Sequence, residues 1–172
     1  RIKTPTAITQ DDNAKSGPCG CYFGDGPQDP NDDPSPSACP ADFPVTTLQA
    51  GTELTFAWQE TVNHNGSFRI AFSAKAPQDV TKGDMDGGAM MEIPDDNATS
   101  GATLTQKITV PSEPCELCTL QLRQLMVGAA QPYYYSCAAV KIVAADPTTS
   151  GSTTSSTGSG GGNGGAGGAA AG

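Results

Sequence analysis

The chain holds one histidine and one tryptophan, and nine basic residues against eighteen acidic ones, in 172 residues. A lone imidazole excludes any mechanism that needs two histidines from this chain. A Ser-His-Asp reading also fails, because no Gly-x-Ser-x-Gly elbow accompanies it. The net charge of −9 and a pI near 4.3 lack the basic face that nucleic acid requires and would repel anionic membranes. No apolar run reaches the length of a membrane-spanning helix, and no signal-peptide pattern is present, so membrane insertion is not expected. Zinc would need more free Cys and His pairs than the composition offers.

Cysteine is not scarce. Cys19, Cys21, Cys39, Cys115, Cys118 and Cys137 form an even set in a chain rich in Gly and Pro. This predicts three disulfides and an oxidising compartment, hence a secreted or cell-surface protein. Fifteen connectivities are open in principle. The spacing favours Cys21–Cys39 as a local staple of the Pro-rich loop, worth roughly 3 kcal/mol in the chain-entropy picture. The other four are then expected to tie the N-terminal segment to the last strands. Cys115-Glu116-Leu117-Cys118 lacks the helix and βαβ setting of a redox motif and reads as structural. The expected reading is a processed chain whose signal has been removed, acting as a monomer.

Two domains of behaviour follow from composition. Residues 147–172 run through Thr, Ser, Gly and Ala with no large apolar side chain, so they read as a flexible linker or surface-anchoring spacer. Residues 1–146 have the size of one domain. Within it, residues 1–42 look irregular. Leu54, Phe56 and Trp58 alternate with Thr55, Ala57 and Gln59, as Phe68, Ile70 and Phe72 do in the next segment, and period two predicts half-buried strands. Strands are also predicted near 43–48, 103–110, 118–124 and 133–143. The parity of the last is imperfect, since Cys137 and Val140 cannot share a face without a bulge. Residues 74–102 read as one long loop, and no helix is predicted. The expected fold is an all-β, immunoglobulin-like antiparallel β-sandwich with long disulfide-stapled loops.

Most acidic residues fall in loops as solvated charge. Asp84-Met85-Asp86-Gly87-Gly88 lacks the bidentate Glu of a calcium loop. Met85, Met90 and Met91 carry sulfur suited to copper(I), but read as apolar cover for the sandwich. Asn97-Ala98-Thr99 is a glycosylation sequon. His64 is the notable residue. It sits in the turn Val62-Asn63-His64-Asn65-Gly66 between two predicted strands. Copper(II) takes imidazole and amine nitrogen, and an α-amine with a pKa near about 7.7–8.0 can give up its proton to ligate. The guanidinium of Arg1 stays protonated, so Arg1 offers only its N-terminal amine.

The segments Trp58-Gln59-Glu60-Thr61-Val62-Asn63-His64-Asn65-Gly66-Ser67-Phe68, Ser16-Gly17-Pro18-Cys19-Gly20, Cys115-Glu116-Leu117-Cys118 and Tyr134-Tyr135-Ser136-Cys137 resemble a secreted bacterial polysaccharide-monooxygenase-like family. That family is similar to lytic polysaccharide monooxygenases and to copper-acquisition proteins on the same scaffold. The resemblance implies a β-sandwich with a copper histidine brace, made by an N-terminal histidine and a turn histidine. The turn histidine carries over to His64. The N-terminal histidine does not, because position 1 is Arg1. Two readings stay open: a brace-less relative, or a mature end two residues upstream that begins His-Ala. The resemblance also points to Asn63, Tyr133, Tyr134 and Tyr135 as neighbours of the metal or contacts for a sugar. The expected function is oxidative cleavage of polysaccharide by one copper ion if the brace is complete. The alternatives are copper binding or scavenging without turnover, and a brace-less module that binds glycan or protein.

Overall fold

The computed structural model describes residues 1–8, 17–21, 39–40, 42–95, 99–129 and 132–145. The linker assigned to 147–172, the acidic runs at 11–12 and 29–33, and the Asn97 of the sequon lie outside the described residues.

Eight strands and one short helix follow in order: β1 (Ile2–Thr4), β2 (Val45–Gln49), β3 (Glu53–Gln59), β4 (Gly66–Ser73), α1 (Lys82–Gly87), β5 (Ala89–Asp95), β6 (Thr103–Thr109), β7 (Cys115–Met126) and β8 (Tyr133–Val143). They form a three-stranded sheet, β1-β3-β6, and a five-stranded sheet, β2-β8-β7-β4-β5. The architecture is the immunoglobulin-like β-sandwich that the alternation predicts. Pairing is antiparallel throughout, except that β2 runs parallel to β8 at one edge.

The core between the sheets is the apolar set read from period two. Phe56, Trp58, Phe68, Ile70, Leu120, Leu122, Ala138, Val140 and Ile142 are all buried there, and the ring of Trp58 lies 5.2 Å from that of Phe68. A second cluster covers the opposite face of the five-stranded sheet. It joins Ile8, Cys19, Cys21, Ala71, Val80, Met85, Cys137 and Ala139. The middle strands are therefore buried on both faces, which removes the alternation from their sequence. This resolves the parity of β8 without a bulge: Val140 faces the inter-sheet core and Cys137 the outer cluster.

Three sequence expectations are corrected. Residues 1–42 are not wholly irregular, because Ile2–Thr4 pairs with β3 as a short strand. The 74–102 stretch is not one loop; it contains α1 and the edge strand β5. The helix starts where Thr81 caps it in a reciprocal box with Asp84, a local signal strong enough to nucleate six residues once Met85 is buried beneath them. The carboxyl of Asp84 is held down to about 2 by Lys75 and by two hydrogen bonds from Thr81.

The disulfides are Cys19–Cys137, Cys21–Cys39 and Cys115–Cys118. The first ties the N-terminal segment to β8 and the second is the expected staple. The third departs from expectation, closing a local loop where β7 shifts register against β8. Among the described residues no helix is long and apolar enough to cross a membrane.

Candidate metal centre

Along β3 the inward positions Leu54, Phe56 and Trp58 continue to Glu60, at the end of the strand. Along β7 they run Leu120, Leu122, Gln124, and along β8 they run backwards through Val140, Ala138, Ser136 and Tyr134. The apolar core thus gives way to polar side chains at one end of the sandwich, where β1 begins and the His64 turn lies.

The turn is anchored on both sides. Glu60 N–H donates to Ala102 O at 3.2 Å and Gly101 N–H to Glu60 O at 2.7 Å. Asn63 N–H donates to Ser100 Oγ at 3.0 Å, and Val127 N–H to Asn65 O at 2.8 Å. Inside the turn, Glu60 Oε1 accepts from His64 N–H at 3.0 Å and from Gln124 Nε2 at 2.8 Å. Glu60 is only 2% exposed. Burial pushes its carboxyl above the usual carboxylate range, the His64 N–H opposes this, and the neighbouring Asp95 raises it further. Gly66 closes the turn, and a Cβ there would overlap the Leu125 carbonyl, so this position requires glycine.

β1 delivers the chain start to the same end. The Arg1 amine donates to Gln59 O at 2.8 Å, Gln59 N–H returns to Arg1 O at 2.9 Å, and Ile2 N–H donates to Ser136 Oγ at 3.1 Å. Arg1 and His64 are therefore held by consecutive residues, Gln59 and Glu60. Because β1 runs antiparallel to β3, the chain start lies at the end of β3 from which the His64 turn leaves.

The three tyrosines divide as neighbours on a strand must. Tyr134 stacks on His64, with ring centroids 6.4 Å apart and planes 26° apart. Tyr133 and Tyr135 lie together on the outer face, 6.0 Å apart. There Arg123 sits 4.7 Å over the Tyr133 ring, and burial pushes the Tyr135 hydroxyl up to about 12. Of the residues singled out from the sequence, Tyr134 meets His64, Arg1 is held by Gln59, Asn63 by Ser100, and Tyr133 and Tyr135 pair with each other. Sequence reading missed Glu60, Gln124 and Ser136. Their signal was a polar residue falling on inward parity at a strand end.

The donors present are an amine and one imidazole. Amine and imidazole nitrogen are donor types that copper(II) takes. Among the described residues no three His, Cys, Asp or Glu side chains converge on one point.

Comparison with known proteins agrees with this scaffold. A lytic polysaccharide monooxygenase, the AA15 enzyme of Thermobia domestica in the Cu(I) state, is similar over 74% of this chain and 76% of its own, at 18% identity and a TM-score of 0.54. The cellulose-active monooxygenase CelS2 in complex with copper is similar over 76% of this chain and 72% of its own, at 17% identity and a TM-score of 0.51. The AA10 enzyme of Streptomyces lividans is 21% identical with a TM-score of 0.48, and only 59% of its length is spanned. No curated protein sequence matches. The family described as "Lytic polysaccharide mono-oxygenase, cellulose-degrading" matches residues 4–140, and the chain belongs to that family.

Proposed function

We propose that this is a secreted copper protein that acts at polysaccharide, with His64 and the amine at the chain start as ligands. The observation that carries the reading is the arrangement of Gln59 and Glu60. One holds the Arg1 amine and the next holds the His64 backbone. When bound, copper would supply a redox-active centre able to oxidise a C–H bond of a glycan. The chain's own residues prepare for it. Gln59 O takes one amine hydrogen, which orients the nitrogen. Tyr134 fixes the plane of the His64 ring. Val62 and Val127, 57% and 72% exposed, offer apolar surface on the turns either side of Asn65. Pairing of all six cysteines is in keeping with an oxidising, extracellular setting.

A second reading is copper binding without oxidative turnover. Residues preceding Arg1, where present, would continue along β3 past Glu60 toward His64, and a histidine two positions upstream would complete the brace there. Two versions of the protein separate the readings, one starting at Arg1 and one starting His-Ala-Arg1. Copper affinity is measured by calorimetry, and release of oxidised oligosaccharides from cellulose is measured with a reductant present. Turnover only in the longer version supports the brace. Tight binding without products in both supports scavenging. In either version His64→Ala is expected to weaken copper binding at least a hundredfold, and unchanged affinity removes His64 from the site.

A further inference from the structure

Gln124 breaks the pattern of its own strand. The inward series on β7 runs Leu120, Leu122 and then Gln124, so an amide stands where the core would take a third leucine. Gln124 lies in register with Phe68 of β4 on one side and with Tyr134 of β8 on the other. β7 is the middle strand of the five-stranded sheet, paired along both of its edges. An amide set against a core needs a partner to offset its lost hydration. Gln124 Nε2 finds one in Glu60 Oε1 at 2.8 Å, 64 residues away along the chain. The same oxygen accepts from His64 N–H at 3.0 Å.

Glu60 Oε1 is thus shared between a donor on the sheet and a donor in the turn. Without Gln124, Glu60 and the His64 backbone would swing together about the end of β3. With it, the carboxyl is tied to β7 and His64 N–H is tied to the carboxyl. Tyr134, the neighbour of Gln124 across the β7–β8 ladder, meets the His64 ring with centroids 6.4 Å apart and planes 26° apart. We propose that Gln124 is a positioning residue for His64, fixing the backbone of the turn through Glu60 while Tyr134 beside it fixes the ring. The sheet then holds His64 at two points, and an imidazole held in this way loses little freedom when it takes a metal. Gln121, on the same strand, serves a different end: it donates to Pro18 O and accepts from Arg69, and so belongs to the outer cover. The inference rests on the copper reading only where copper is the probe.

The test follows His64 in the full metal-free chain and then adds copper. His64 is the sole histidine, so its ring protons are identified in an NMR spectrum directly. In Gln124→Leu, which continues the leucine series, the ring signals should shift and broaden. His64 N–H should exchange with solvent about tenfold faster, while the N–H groups of Phe56 and Trp58 exchange as in the native chain. Gln124→Met, unbranched and of similar length, should do the same, so failure of one variant to fold leaves the other to decide. Gln121→Met should leave the ring signals in place, whatever its effect on the cover. Copper affinity, measured by calorimetry, should fall about tenfold or more in the Gln124 variants, as it does when a group that orients a metal ligand is removed. Unchanged His64 signals and exchange in the Gln124 variants would overturn the proposal. So would equal acceleration at Phe56 and Trp58, the same ring shift in Gln121→Met, or full retention of the native copper affinity. A native chain that binds no copper would strike the copper reading instead, and the metal-free signals would still decide the role of Gln124.

Discussion

The two faces of the five-stranded sheet are built by different means. The inner face meets β1-β3-β6 through Phe56, Trp58, Phe68, Ile70 and their neighbours, an apolar contact that strand periodicity alone prescribes. The outer face is covered by short, irregular pieces of chain that could not bury enough surface to hold themselves. Cross-links hold them: Cys19–Cys137 binds the N-terminal segment to β8, and Cys21–Cys39 staples the Pro-rich loop. Buried charge contributes too. Arg69 on β4 reaches Asp86 of α1 and donates to Gln121 Oε1 at 3.1 Å, while Gln121 Nε2 donates to Pro18 O at 2.6 Å. The inner face is a core in the usual sense, whereas the outer face is a strapped cover. The candidate metal centre sits at the polar end of the inner face, in the turn between β3 and β4 and beside the start of β1.

This contrast can be broken from either side. The largest effect is expected from Phe56→Ala, a fully buried ring between the sheets. It should cost about 3–5 kcal/mol in chemical denaturation and unfold both faces together, since no part of the sandwich survives loss of its centre. The double change Cys19→Ala with Cys137→Ala removes a bridge across 118 residues and should cost about 2–5 kcal/mol. Its signature is different: hydrogen exchange should rise first in residues 17–21 and α1, while Trp58 fluorescence and copper binding persist. Simultaneous loss of Trp58 packing would show that the two faces are one cooperative unit. The smallest effect concerns α1 alone. Asp84 is held down to about 2 from 3.8, so its contribution is fully present above pH 3.8 and is lost as pH falls through about 2. Asp84→Asn should flatten that acid limb in exchange measurements on α1 without altering β3 or β4. A limb that stays unchanged would remove the cap from the account of this helix.

Legibility in the sequence follows the same division. Phe68, Ile70 and Phe72 announced their face because the residues between them, Arg69 and Ala71, are charged or small. Cys137 to Val140 did not, because β8 is covered on both sides there and apolar residues run without a break. The helix α1 was hidden for another reason: six residues with one buried methionine carry no periodicity, and only the Thr81–Asp84 box marks them. In the site, His64 stood out as the lone imidazole in a turn. Glu60 passed as one of many acidic residues, although its parity placed it inward.

The order of residues by itself determined the alternating strands, the cystine-rich character, the acidic charge and the single histidine available for metal, because these depend on composition and on local alternation. Only the folded molecule decided that Tyr134 rather than Tyr133 or Tyr135 meets that histidine, that the chain start and the turn share adjacent anchors, and that Gln124 meets Glu60. Each of those meetings joins positions far apart along the chain. Their register is set by the pairing of β1, β3, β7 and β8, and no spacing within one segment encodes it.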